Sequence, residues 1–470
     1  MASKKTAKNK LLLKTESAWK GIGDAERKRI FDFAEGYKLF LNKGKTEREV
    51  ITLIKRKAEE QGFVPLEKAK ALKPGDRVYS INKEKVAALA VVGSEPVENG
   101  VNLVCSHTDC PRIDLKQRPI YEDSETDLAL FKTHYYGGVK KYQWVVVPLA
   151  MHGRVMRADG EAIDICIGED DSDPVFMIPD LLPHLAKRLQ GERKLFEGIK
   201  GEEMNVLIGG IPIKGDSKAP FKMMVLDILN KKYGIVEEDL ISAELELVPN
   251  LVPRDVGFDR SMIGAYGQDD RACVYTTLSA ICGLKKPKRT AIALFFDKEE
   301  IGSVGSTGAQ SAFLELFVCE LDKKTGGSGS YASIKRSLSN TRAISGDVDA
   351  GMDPSFKDVH ETLNAARMGR GIVISKFGGA GGKGGSSDAS AEFMHYVRTV
   401  FNRNKVPWQS AELGKVDEGG GGTVARFLAS HNMEIVDCGP ALLSMHSPFE
   451  VSSKIDIYYT YQAFLAFLGA

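Results

Sequence analysis

Residues 290–302 read TAIALFFDKEEIG, and this stretch decides how the rest of the chain is read. The apolar run 291–296 has the length and composition of a strand buried on both faces. It stops at Asp297-Lys298-Glu299-Glu300, and Gly302 and Gly305 follow as turn residues. Carboxylates at the end of a buried strand sit where open α/β sheets place their ligands. Glu299 and Glu300 repel each other as neighbours. A metal on one and a proton-transfer task on the other make the pair worth keeping. The plain alternative is a solvated pair at a helix start, where the dipole favours acids.

Other apolar runs end in the same kind of chemistry. Residues 102–105 lead into Ser106-His107-Thr108-Asp109, in which the carboxylate can hold the imidazole ring or contact a metal site itself. Residues 342–345 lead into Gly346-Asp347-Val348-Asp349. Asp269-Asp270 open a helical run to Leu284, either as a cap or as a carboxylate able to bridge two ions. Residues 433–436 read as the last strand, followed by 441–446 with His446. Oxygen and imidazole donors without thiolate suit zinc, manganese or cobalt. One shared carboxylate fits a two-metal hydrolase with a glutamate left over as general base.

At 470 residues the chain has room for two domains, or for one large domain with an insertion. Lys plus Arg (64) and Asp plus Glu (63) nearly cancel, which speaks against a nucleic-acid or membrane-surface partner. The seven cysteines form no CxxC, as expected of reduced thiols in the cytoplasm. The basic N-terminus has an apolar run only at residues 11–13, too short for a signal peptide.

The pattern predicts helices over 24–61, with Lys45-Thr46-Glu47-Arg48 as a solvated helix start, and strands within 77–92. Between Cys110 and Asp255 the texture becomes β-rich, with strand-like pieces at 142–148, 154–156, 163–167, 245–248 and 251–252, and a helix over 221–230. His134, His152 and His184 in this block read as structural. Beyond it, a helix is expected over 307–322, a flexible loop over 325–330, a strand over 371–377 and a closing helix from Ser453. FGGAGGKGGSS is not a phosphate loop, because Phe377 and Gly384 stand where that motif needs Gly and Ser/Thr. The run 419–422, with Gly421 and Gly422, would let a peptide backbone approach closely. The expected fold is α/β: a mixed sheet flanked by helices in residues 1–109 and 256–470, interrupted by an inserted β-rich domain over 110–255.

CSHTDCPRIDLKQRPIYED, KTHYYGGVKKYQW, GQDDRACVYT, DKEEIGS, SGDVDAGMDP, ELGKVDEGGGGT and LLSMHSPFE occur in this order. Together they resemble the aspartyl aminopeptidase family, which includes vacuolar aminopeptidase I, and most of all its bacterial branch. The resemblance implies a zinc-peptidase fold whose insertion serves oligomer contacts in a tetrahedral dodecamer. It also implies two divalent ions, Zn²⁺ first, with Mn²⁺ or Co²⁺ as alternatives. Asp269 would bridge them, with Asp270 as its competitor. His107 and Asp347 would complete one ion, Glu300 and His446 the other, with Asp349 competing for the place of Asp347. Glu299 would be the general base and Asp109 the partner of His107 in the catalytic set. The substrates would be unblocked short peptides with an acidic or neutral first residue. An acidic preference would need a cation, for which Lys376 is the candidate with Lys383 behind it. A deacylase on the same scaffold and a non-catalytic assembly protein are the alternatives, and the presence of Glu299 favours an enzyme.

Overall fold

Ala291–Phe296 forms a strand inside a nine-stranded sheet, and its surroundings explain why every residue in it is apolar. Ala293 and Phe295 join the core on one face, while Ile292, Leu294 and Phe296 join the core on the other. Both faces are covered, so alternation in polarity has no use here. The computed structural model describes residues 11, 13 and 16–470. The basic N-terminal stretch discussed above lies outside these, apart from Leu11 and Leu13.

The sheet runs Val64–Pro65, Arg77–Asn82, Val86–Val91, Ala291–Phe296, Asn102–His107, Arg342–Gly346, Glu434–Gly439, Ile372–Ser375, Trp408–Ser410. Ala291–Phe296, Asn102–His107, Arg342–Gly346 and Glu434–Gly439 are parallel neighbours, so their carboxyl ends meet along one rim. Asp24–Lys43, Glu47–Glu60, Gln268–Gly283, Ala391–Arg403 and Lys454–Leu468 pack on one face. Phe313–Lys324 and Tyr331–Ser339 cover the other. No helix among the described residues is long and apolar enough to cross a membrane.

A second sheet is six-stranded and wholly antiparallel: Ala162–Ile167, Leu149–Met156, Glu244–Pro249, Arg112–Asp123, Leu128–Tyr136, Val206–Gly209. It has its own core around Ile113, Phe131, Trp144, Leu149 and Leu247. A five-stranded sheet joins Arg254–Val256, Met262–Ala265, Glu450–Ser453, Ala441–Leu443 and Asp349–Ala350.

Several local expectations are corrected. Residues 142–148 are no strand but a 3₁₀ turn at Lys141–Gln143 and a loop, in which Val146 takes a left-handed φ of 55° that ends any extended run. Residues 251–252 are likewise irregular, next to Pro253, and pairing starts at Arg254–Val256. The helix expected from 307 begins only at Phe313. Before it, Thr307 is tied to the strand end, donating from Oγ1 to Asp297 Oδ2 at 2.7 Å. The loop after Thr325 is anchored by Asp322, and an unexpected helix, Tyr331–Ser339, follows it, capped by Ser330. Glu434–Gly439 is not the last strand, since the short Ala441–Leu443 and Glu450–Ser453 come after it. Thr46 does start a helix, with a capping box to Glu49. That start is buried rather than solvated, because Glu47 pairs inside the protein with Lys85 at 2.8 Å.

Candidate metal centre and active-site cleft

The parallel strand ends deliver the carboxylates and imidazoles to one place. His107 closes its strand, and its Nδ1 lies 3.0 Å from the carbonyl oxygen of Asp109. Its Nε2 faces Asp269 Oδ1 at 3.3 Å. His446, held at φ 65° in a loop, donates from Nδ1 to Gly138 O at 2.7 Å. Its Nε2 lies 3.1 Å from the other Asp269 oxygen and 3.7 Å from Glu300 Oε2. Two imidazole nitrogens whose opposite faces are already engaged thus meet the two oxygens of one carboxylate. Lone pairs cannot face each other this way without positive charge between them. Burial opposes a charge on His446, yet Asp269 and Glu300 outweigh it and push its pKa up to about 10.

Asp109 is fully buried and organises the glutamates. Oδ1 accepts the Glu299 amide at 3.1 Å; Oδ2 accepts the Glu300 amide at 3.2 Å and the Tyr136 hydroxyl at 2.8 Å. It is therefore a positioning residue rather than a group that meets substrate. Burial, with the charges of Asp109 and Asp269 adding to it, pushes Glu299 up to about 7, the range of a general base.

Asp269 with His107 and Glu300, and Asp269 with Asp270 and Asp347, form groups whose donor atoms lie within 4.8 Å of one another. Asp270 Oδ1 and Glu300 Oε1 are buried without a hydrogen-bond partner. Unpartnered carboxylate oxygens beside imidazole nitrogens suit divalent cations. Asp269 sets each of its oxygens against a different histidine. Asp270 instead accepts the His107 amide at 3.3 Å. Asp349 stands apart, with one oxygen taken by the Ser375 hydroxyl.

A cleft of about 460 Å³ holds this centre, with Phe377, Leu413, Met445 and the glycines 420–422 also in its lining. Gly421 and Gly422 are among its lining residues. The strict need for glycine lies at Gly420, whose φ is 140° and whose missing Cβ admits the backbone of Gly379. Lys376 is not brought to the site: it pairs with Asp388, as does Lys383 at 2.8 Å, and neither lines the cleft. A larger cleft of about 560 Å³ lies between the N-terminal helices and the six-stranded sheet. There the charges are spent on one another, as in Glu49–His152–Glu169 and Arg154–Asp164.

The family model described as aminopeptidase I zinc metalloprotease (M18) matches residues 40–468. The chain belongs to the M18 family. It is 47% identical over 457 residues to a probable M18 family aminopeptidase 1 of Borreliella afzelii, covering 97% of this chain and 99% of that one. It superposes on the crystal structure of an M18 aminopeptidase from Thermotoga maritima with a TM-score of 0.93 and 46% identity, over 97% of this chain and 99% of the other. A yeast mApe1 solved as a dodecamer shares the fold at a TM-score of 0.74 and 20% identity, over 93% and 96% of the two chains. The α/β fold and the metalloaminopeptidase activity expected from the motifs are those of this M18 chain.

Sequence reasoning missed three groups in the M18 site. Glu450 accepts the Gln268 amide at 2.6 Å and the Asp269 amide at 3.1 Å on one oxygen, and the His446 amide at 2.7 Å on the other. It thereby ties Asp269 to His446, far away in the chain. Tyr136 and Gly138, both within KTHYYGG, reach Asp109 and His446 from the six-stranded sheet. The only local signal was the motif itself; what each group touches is a property of the fold.

Proposed function

We propose that this M18 aminopeptidase removes the first residue of unblocked short peptides at the His107–Asp269–Glu299–Glu300–Asp347–His446 centre. The observation that carries the assignment is Asp269 presenting one oxygen to each histidine while Glu299 and Glu300 hang side by side from Asp109. His107 and Asp347 would hold one divalent ion, Glu300 and His446 a second, with Asp269 shared. Zn²⁺ is the first choice, and Mn²⁺ or Co²⁺ suits the same donors. When bound, such ions polarise the scissile carbonyl and make water acidic enough to react near neutral pH.

Glu299 takes a proton from the attacking water as its oxygen bonds to the carbonyl carbon. It then gives that proton to the amine nitrogen as the C–N bond breaks. Asp109 fixes the backbone of both glutamates throughout. The glycines 420–422 leave room for the peptide main chain.

The six-stranded sheet is proposed as an inserted domain, residues 110–255, between catalytic parts 1–109 and 256–470. A homo-oligomer is proposed, a dodecamer like the assembled yeast relative, in the tetrahedral form that the family resemblance implies. Unpaired cysteines support a cytoplasmic setting. The cation that an acidic first residue would require does not line the cleft among the described residues.

The test is hydrolysis of unblocked and N-acetylated aminoacyl substrates by the metal-reconstituted protein, beside Glu299→Gln. Turnover of the unblocked set alone, lost in the variant at full metal content, supports the reading. Cleavage of the acetylated set makes the protein a deacylase, and no turnover with metals bound makes it a scaffold.

A further inference from the structure

Two acids of the cleft are used by nothing described so far. Asp349 and Asp437 both line it, and they are only 8% and 7% exposed. Ser375 connects them: its hydroxyl donates to Asp349 Oδ2, and its backbone is the cross-strand partner of Asp437. Asp437 Oδ1 accepts the Thr423 hydroxyl at 2.7 Å. Asp349 Oδ1 is buried with no hydrogen-bond partner at all. A carboxylate oxygen left bare beside a cleft is costly unless a ligand brings it a donor.

The charge balance gives the sign of that ligand. Under the two-ion reading, Asp269, Glu299, Glu300 and Asp347 offset the divalent ions. Asp349 and Asp437 then remain without counter-charge, since no lysine or arginine lines the cleft among the described residues. The apolar side chains among its walls are Val348, Phe377, Leu413 and Met445. A cleft that offers both apolar side chains and unpaired carboxylates suits a side chain with an aliphatic stem and a charged tip.

Resting on the aminopeptidase reading, we propose that Asp349 and Asp437 read the side chain of the substrate's first residue and select a cationic one, lysine or arginine. Glutamate and aspartate are rejected by like charge in a partly desolvated site.

The experiment compares lysyl, arginyl, norleucyl and glutamyl amidomethylcoumarins on the metal-loaded protein and on Asp437→Asn. In parallel, calorimetry measures binding of free L-lysine and L-norleucine, which differ at the chain end by the ammonium alone. The expected kcat/KM for lysyl and arginyl exceeds that for glutamyl by on the order of a hundredfold. L-lysine binds about tenfold more tightly than L-norleucine, the scale of one charged hydrogen bond. In Asp437→Asn the lysyl-to-norleucyl ratio falls about tenfold. The proposal is overturned if glutamyl is cleaved as well as lysyl. It is equally overturned if the variant weakens lysyl and norleucyl alike, because the acids would then read the α-ammonium. If no substrate turns over, the aminopeptidase reading fails, and the lysine–norleucine comparison still decides the pocket.

Discussion

Glu299 lies beside Asp109, and under the proposed mechanism its task is separate from metal holding. Glu299→Gln keeps the shape and removes the base. The expected result is a kcat lowered by about 10²- to 10⁴-fold, with KM nearly constant and metal content unchanged by elemental analysis. Tyr136 acts at one remove. Its hydroxyl is one of the donors that hold Asp109, so Tyr136→Phe frees the partner of His107 and of both glutamate amides. Metal affinity, measured by chelator competition, is expected to weaken by about tenfold, and kcat to fall with it. At this scale the sequence was legible where a residue's own neighbours define it. His107 and Glu299 announce themselves at the ends of apolar runs. Glu450 does not, because the amides it accepts belong to Gln268, Asp269 and His446.

Elements depend on how the pieces are clamped. His152 in the strand Leu149–Met156 lies between Glu49 of the helix Glu47–Glu60 and Glu169, at 2.7 and 3.1 Å. Burial disfavours its charge, but Cys166, Glu169 and Glu49 outweigh that and push its pKa up to about 11. A histidine whose folded pKa exceeds its unfolded value of 6.5 stabilises fully below pH 6.5. That contribution fades as pH rises toward 11. His152→Gln should therefore lose about 2 kcal/mol in urea unfolding at pH 6, and the gap to the parent should narrow steadily toward pH 10. The cap at Thr46 gives a pH-independent contrast: Thr46→Ala should cost about 1 kcal/mol throughout. Long periodic elements such as Asp24–Lys43 were readable because 3.6-residue spacing survives any context. Tyr331–Ser339 was not, since a nine-residue helix buries only Ile334 and Leu338 as apolar anchors.

Over the whole molecule, buried like charges wait at the junction of all three large sheets. Removing the ions from reconstituted protein with a chelator should lower Tm by several degrees, because the carboxylates around Asp269 then repel one another without compensation. Zn²⁺, Mn²⁺ or Co²⁺ should restore it, and calorimetry checks both directions. Light scattering of the intact chain tests the proposed assembly: a single species near twelve times 51.4 kDa is expected. A monomer with full activity would disconnect assembly from catalysis.

By itself the sequence determined the strands buried on both faces, the acids and histidines at their ends and the family. Each is written in local order: apolar runs long enough for a strand, and motifs whose residue types suit divalent metal chemistry. Only the tertiary structure decided which acid meets both histidines, which holds the backbone and which faces the cleft. Asp269 and Asp270 are adjacent and chemically identical, and they part company because one meets two histidine rings and the other the amide of His107. Lys376 likewise follows a cleft residue in sequence, yet it turns to Asp388. Side-chain partners are set by packing across distant segments, and no local pattern encodes them.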